Sequence, residues 1–531
     1  MVYKSSAIAL GLMLSMLFAA HAWSFRMAKS CSKLVKKTQT TLAPKKQLIR
    51  PRKKAPISST QSSSVWSQEI YWNWDKLDIT SVQPIMLSKA QAEDALGTAL
   101  GHTFGFGGAL SSMQIEGYER AQGGGAKSSW TQHERNKKFP ADKRAGYGIG
   151  HKKRYKEDLR LLKELGLTIY RFSIAWEKVE PTLGNFDTVE LDWYVDMINT
   201  CSDEGIIPMI NFFHHYWPLW FDRLGAWDKA ENVPYFIEYA AFVYNYLYTH
   251  VKNPHHLDLV MTLNEPVGYA MAAYLVGKYP PGQKGSLFNA GHAVKNLLDA
   301  HIGTYDAIKL INPQSQIGIA LVFIPLDSFS PNNPITQWAA RHGNYLMHDV
   351  RMNYLKNGHF RWTPLINDYN YNAIGKMDWV GLNYYTHKII GLMPPTFEAK
   401  RDKDQTADNN GNIIYPEGLY RSIHKAAEWG LPIIITENGI QTEDDELKNK
   451  FVQQHLYVVK KALQEGYDIR GYMWWGPIDC YSWNKGFVSH YGFYRFNPIT
   501  RERTFLPNAA QYLQETIEAT REAEQANCAL L

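Results

Sequence analysis

From about residue 95 onward the chain alternates short apolar runs with longer stretches of helical periodicity, and it does so eight times. The runs are "TFGFGGAL", "LTIYRFSIAW", "IIPMINFF", "LDLVMTLNEP", "QIGIALVFI", "MDWVGLNYY", "PIIITENG" and "IRGYMWWGP". Each has the length of a strand, and the three isoleucines of "PIIITENG" read as a strand buried on both faces. Between the runs lie helices such as "KKRYKEDLRLLKELG", apolar at helical spacing and closing on Gly166, the residue type that ends helices most readily. Eight strand–helix units over about 425 residues predict an α/β fold, a (β/α)8 TIM barrel with extended βα loops. A doubly wound open sheet is the alternative. No Gly-rich phosphate loop follows the first strand, and "GGG" at 123–125 has neither the spacing nor the lysine of one.

The start of the chain is of another kind. After Lys4 comes "AIALGLMLSMLFAA" and then small residues at Ala20 and Ala22, the pattern of a signal peptide over 1–22 with cleavage after Ala22. An uncleaved anchor is the alternative. Residues 23–68 form a basic, Ser-rich linker, expected to be disordered. The composition also suits an organelle transit peptide, so export to the periplasm, the medium or a membrane surface is the first expectation and organelle targeting the second. Residues 69–98 read as an N-terminal extension of helical character, 99–520 as the barrel domain and 521–531 as a C-terminal tail.

The linker decides what the charge means. Of 57 Lys and Arg, 12 lie in residues 1–68, which hold no Asp or Glu; the rest has 45 basic against 51 acidic residues, a balance of −6. The overall +6 therefore belongs to the tail, and nucleic-acid binding by the folded part is disfavoured. The basic segment suits peripheral association with an anionic membrane surface. Cys31, Cys201, Cys480 and Cys528 are scattered and show no metal-binding spacing, so no metal or other cofactor is expected.

In a barrel of this kind the reactive groups sit at the C-terminal ends of the strands. Those ends carry Gln114 and Glu116, Arg171, His215, Asn264 and Glu265, Asn383 and Tyr385, Glu437, and Trp475 with Asp479. Two glutamates facing one pocket are what retaining glycoside hydrolysis needs: one carboxylate attacks the anomeric carbon, the other protonates the leaving oxygen and then activates water. A single strand-end Glu is more often a structural ion-pair member; the combination is far less often incidental. Of the adjacent His214 and His215, strand alternation puts His215 in the pocket and His214 outside it.

"TLNEP" (262–266) and "ITENG" (435–439) resemble the two catalytic signatures of glycoside hydrolase family 1, the β-glucosidases and their relatives. Supporting matches run in order through "SSMQIEG", "RYKEDLRLLKELGLTIYRFSIAW", "YLVGKYPPG", "GLNYYT", "YPEGLY" and "GYMWWGPID", covering about residues 100–510. The resemblance implies a (β/α)8 barrel with Glu437 as nucleophile and Glu265 as general acid/base. It also implies that Arg171 and Tyr385 orient and charge the nucleophile, and that Asn383 supports the acid/base. Asn264 matches the residue bonding the sugar 2-hydroxyl, Gln114 and His215 match hydroxyl-binding positions, and Trp475 matches the platform under the ring. The implied partner is a β-glycoside or oligosaccharide.

The chain departs from that family at one specificity loop. Members acting on free sugars carry Asn-Phe-Glu-Trp, whose Glu chelates the 4- and 6-hydroxyls; here "CYSW" puts Ser482 at the Glu and keeps Trp483. Members acting on 6-phosphoglycosides resemble this at Ser, since a carboxylate would repel phosphate, and add a Lys and a Tyr downstream. This chain has Ser489 at the first of those positions and Tyr491 at the second, with Lys485 and His490 as substitutes for the lysine. Gly150 also stands where the family carries Asp. The reading is thus a retaining β-glycosidase acting on an unphosphorylated sugar. The alternatives are a 6-phospho-β-glycosidase, a transglycosidase, and a catalytically silent sugar-binding protein on the same barrel.

Overall fold

The computed structural model describes residue 66 and residues 68–391 and 406–529. The signal peptide expected at 1–22 and nearly all of the linker expected at 23–68 lie outside the described residues, as does Cys31. Eight parallel strands close into a barrel: β1 (Gly105–Ala109), β2 (Ile169–Ser173), β3 (Ile207–Phe213), β4 (Leu259–Asn264), β5 (Gln316–Val322), β6 (Trp379–Tyr384), β7 (Ile433–Asn438) and β8 (Ile469–Trp475). Each expected run supplies one strand. The ring runs β1-β8-β7-β6-β5-β4-β3-β2 and shuts by pairing of β1 with β2. Helices cover the outside. That at His151–Glu164 is followed by Gly166 in the left-handed region (φ +84°), as its sequence predicts. Gly150, at the start of the same helix, is also left-handed (φ +80°), and a Cβ there would lie 2.6 Å from the Arg501 guanidinium.

The barrel interior is packed solid at the end where the strands begin. Ile169, Leu259 and Trp379, each the first residue of its strand, meet Leu96 and Leu100 from the segment that precedes β1. The stretch 69–98, read from sequence as a helical extension, is mostly irregular, with a 3-10 turn at Trp74–Lys76 and short helices at Lys89–Ala92 and Ala95–Ala99. Its apolar residues plug the barrel floor, and Asp94 clamps Arg470 of β8 with oxygens at 2.6 and 3.1 Å. At the other terminus the helix Pro507–Ala529 continues through residues 521–529. Among the described residues no helix is long and apolar enough to cross a membrane.

Two strands break their alternation just before the polar residues they carry. In β7, Ile434 faces the barrel interior while Ile433 and Ile435 pack outward against the helices. Strict alternation would then send Glu437 outward. Instead Ile435 pairs with Leu382 and Glu437 with Asn383, so Thr436 is an extra residue, and the same slip separates Ile435 from Asn438 against β8. The bulge re-aims Glu437 into the barrel mouth. Strand β4 does the same: Met261 pairs with Gly318 and Asn264 with Ala320, three residues against two, which turns Asn264 inward.

Candidate active site

The mouth of the barrel opens into a cavity of about 410 Å³. Its lining includes Gln114, His215, Asn264, Glu265, Tyr385, Glu437, Trp475, Ser482, Trp483 and Tyr491, ten of the twelve residues to which the sequence assigns a catalytic or sugar-binding place. Arg171 and Asn383, the other two, are fully buried directly behind it.

Glu437 receives two donors. Arg171 Nη1 donates to Oε1 at 2.6 Å, and the Tyr385 hydroxyl donates to Oε2 at 2.7 Å. Burial first, and the neighbouring Glu437 charge second, hold the Tyr385 phenol well above its ordinary value, so it remains a donor. Arg171 also donates through Nη2 to Asn264 Oδ1 at 2.5 Å and through Nη1 to the Thr436 carbonyl at 3.1 Å. The guanidinium thus ties β2 to β4 and to the bulge of β7.

Glu265 lies one residue past the end of β4, left-handed at φ 48° and followed at once by Pro266. Its Oε1 accepts from Asn383 Nδ2 at 2.8 Å. Asn383 Nδ2 also reaches Asn264 Oδ1 at 3.1 Å, while its own Oδ1 accepts from Thr436 Oγ1 at 2.7 Å. Burial first, and the negative charge of Glu437 second, push the Glu265 carboxyl up to about 7, against the opposing pull of Asn383, Arg171 and Arg351. The two glutamates therefore sit in opposite environments. One is held by a cation and a phenol; the other is desolvated beside an anion. Because Asn264 Oδ1 already accepts from Arg171 and Asn383, its NH2 group, with only long contacts of 3.5 Å to the His214 and His215 rings, is the end that faces the cavity.

The histidine pair does not follow the sequence expectation. Both rings line the cavity, 5.0 Å apart. Strand β3 ends at Phe213 and the chain turns left-handed at His215 (φ 74°), so strand alternation no longer governs which way the rings face. His214 stacks on Trp475 at 5.6 Å and 21°, which backs the indole. His215 Nε2 donates to the Asn264 carbonyl at 3.2 Å, and burial holds its ring neutral, with the pKa lowered to about 3. Gln114 is committed to protein partners: Nε2 donates to the Tyr481 carbonyl at 2.6 Å and Oε1 accepts from Ser111 at 2.8 Å.

The specificity loop turns at Ser482, whose N–H donates to the Gly486 carbonyl at 2.7 Å. Trp483 packs edge-on to Trp130 at 4.4 Å. Asn410 bridges Tyr491 and Lys485: its Nδ2 donates to the phenol at 3.0 Å, and its Oδ1 accepts from the Lys485 ammonium. Lys485 lines the cavity. His490 instead pairs with Asp479 at 2.8 Å, and Ser489 is buried away from the cavity. Of the two lysine substitutes suggested by sequence, only Lys485 is in reach.

Two other strand-end carboxylates are structural. Glu116 is buried between Lys178 at 2.7 Å and Lys152 at 3.5 Å, and Asp479 takes His490 and the Gly492 N–H. Sequence reading missed Arg351, fully buried beneath the site, because it lies on a helix (Val350–Asn357) with no motif around it. Among the described residues, Glu69, Asp327 and His387 bring three potential metal-ligand atoms within 4.8 Å of one another, but Asp327 already receives two Arg421 N–H groups at 2.9 and 2.7 Å. The guanidinium supplies the positive charge there.

Residues 98–522 match the family model described as Glycosyl hydrolase family 1. Among curated proteins the chain is similar to beta-glucosidase A of Thermotoga maritima, 28% identical over 431 residues that make up 75% of this chain and 94% of the relative. It is similar as well to 6-phospho-beta-galactosidase of Clostridium acetobutylicum, 24% identical over 463 residues, 76% of this chain and 94% of the relative. Among solved structures, the beta-glycosidase from Pyrococcus horikoshii superposes with a TM-score of 0.70 at 28% identity, covering 83% of this chain and 98% of that one.

Proposed function

Since this chain belongs to glycosyl hydrolase family 1, we propose that it removes the nonreducing-end sugar of β-glycosides by double displacement, with Glu437 as nucleophile and Glu265 as general acid/base. The carrying observation is the asymmetry of the two carboxyls. Arg171 and Tyr385 aim Glu437, while Glu265 has its pKa raised to about 7 and can hold a proton near neutrality.

In the first step a Glu437 oxygen attacks the anomeric carbon from one face. The bond to the aglycone oxygen breaks, and that oxygen takes the proton of Glu265. The product is a covalent glycosyl ester on Glu437 and a free alcohol. Loss of the proton leaves Glu265 a carboxylate. It then accepts a proton from water as the water attacks the anomeric carbon, the ester bond breaks, and both side chains return to their starting states with configuration retained. The Asn264 amide donates to the sugar hydroxyl next to the reacting carbon, a contact worth most in the transition state. Trp475, backed by His214, offers its face to the ring.

A second reading, hydrolysis of a 6-phosphorylated β-glycoside, has one observation in its favour. Ser482, Tyr491 and the Lys485 ammonium line one cavity, which supplies a cation and two hydroxyls for an anion. The free-sugar reading is preferred because Ser489 contributes no cation and is buried away from the cavity. A panel of free and 6-phosphorylated aryl β-glycosides tests both. Turnover of the free glycosides at a kcat/KM at least tenfold higher supports the preferred reading, and the reverse ratio replaces it. We also propose export, on the signal-peptide pattern of residues 1–22. Fractionation of cells expressing the full chain tests it, and recovery only in the cytosol would overturn it.

A further inference from the structure

The cavity has two unlike halves. Gln114, Trp475 and Glu437 come from the β1, β8 and β7 side of the ring, and across from them lies the arc of β4 and β5. On that arc, beside Asn264, Glu265, Lys278 and Tyr279, six apolar side chains line the cavity: Met271, Val276, Val322, Ile324, Leu326 and Met347. Met271 and Val276 belong to a π-helix (Met271–Val276) in the connection after β4. Val322 ends β5, Ile324 and Leu326 follow it, and Met347 lies in a second π-helix (Tyr345–Asp349) of the β5–β6 connection. Insertion of an extra residue into a helical turn is a distortion frequent at functional sites, and here both such turns face the same cavity.

The apolar arc begins at the proton donor. A Cβ built on Gly268 would lie 3.1 Å from Glu265 Oε2 and 3.2 Å from Val322 Cγ1, so carboxyl and wall flank the same backbone. The group that receives the Glu265 proton is the aglycone oxygen. The rest of the aglycone must extend from that oxygen away from the sugar, along this wall.

We propose that the aglycone released by this enzyme has an extended apolar body, alkyl or aryl, rather than being a second sugar; the inference rests on the glycosidase reading above. Six apolar side chains return no hydrogen bonds to sugar hydroxyls, so a carbohydrate there loses its water without replacement. Two of the six are methionines, which adapt to irregular apolar shapes. Lys278 and Lys388 line the same cavity, and their aliphatic stems add apolar surface to it.

The test uses the full chain with methyl, butyl and octyl β-glycosides of glucose and of galactose, the matching disaccharides, and the glycosyl fluorides, which carry no aglycone body. The expected result is a kcat/KM that rises about two- to fourfold per methylene while the chain is being buried, with the disaccharide below the butyl glycoside. A flat alkyl series, or a disaccharide at least as good as the octyl glycoside, overturns the inference while turnover of the fluoride leaves the glycosidase reading standing. Failure to hydrolyse either fluoride overturns the glycosidase reading itself.

Discussion

Glu437 faces Asn383 across the β6–β7 ladder only because Thr436 is an extra residue in β7. Asn383 in turn donates to Glu265 and accepts from Thr436 Oγ1. One asparagine therefore reads the position of the bulge and passes it to the opposite carboxyl. The mutual placement of the two glutamates is set by backbone register and a single amide, not by contact between them.

Replacing Asn383 by Ala removes the hydrogen bond that orients Glu265 while leaving Arg171 and Tyr385 on Glu437. Proton donation suffers and attack does not. Activity on glycosides with poor leaving groups is expected to fall about 10- to 100-fold, whereas activity on dinitrophenyl glycosides, which need no proton, stays near that of the parent. A leaving-group series of kcat/KM checks this through a steeper slope for the variant. Equal loss across the series would mean that Asn383 positions something other than the acid.

Glu437→Ala removes the attacking oxygen and should cost about 10⁴-fold or more in kcat. The vacated space lies between Arg171 and the Tyr385 hydroxyl, donors that suit a small anion. Added azide is expected to attack an activated β-glycoside from the same face and give the α-glycosyl azide, identified by NMR. Parent-like activity without azide would remove Glu437 from the mechanism.

Much of this arrangement was legible in the sequence. Isoleucines at 433–435 announce a strand buried on both faces, and the motifs around Glu265 and Glu437 identify the reacting pair. Strand alternation also predicts Arg171 and Asn383 facing inward, since neither of their strands slips before them, whereas β8 carries an extra residue at Arg470 and its alternation reaches Trp475 only from Gly471 onward. It fails for His214 because β3 has already ended and the chain turns left-handed at His215. Nor does it announce a bulge: Thr436 looks like any β-branched strand residue until its two neighbouring strands are in place. The floor of the barrel was hidden for a related reason. Leu96 and Leu100 pack against the first residues of β2, β4 and β6, which are far apart along the chain.

The raised Glu265 pKa has a consequence for stability. Burial and Glu437 move the carboxyl from 4.5 to about 7 in the folded protein. A carboxyl that holds its proton more tightly when folded stabilises the fold fully below 4.5 and loses that contribution as the pH rises through 7. Glu265→Gln is therefore expected to be stabilised relative to the parent at pH 8, by at most about 3 kcal/mol and by less as solvent in the open pocket screens the charge, and to show little difference at pH 4.5. Denaturant unfolding of both proteins at the two pH values measures it. An advantage that is larger at pH 4.5 would contradict the assignment of the shift to Glu265.

Arg351 offers an independent handle on the same carboxyl. It is fully buried, donates through Nη2 to the Val322 carbonyl at 2.7 Å, and stacks 4.8 Å from the Phe323 ring, while its Nε and Nη1 have no hydrogen-bond partner among the described residues. Burial lowers its pKa to about 9, which still leaves it a cation at neutral pH, and that charge pulls the Glu265 pKa down. Arg351→Met keeps much of the volume and removes the charge. Glu265 should then hold its proton to higher pH, so the alkaline limb of the kcat/KM profile is expected to move up while the acid limb stays. Loss of a buried cation without a carboxylate partner also offsets the lost hydrogen bond, so the variant should fold with stability close to that of the parent. A folded variant whose alkaline limb does not move would show that Arg351 supports the β5 end only as a strut, with no electrostatic effect on the acid.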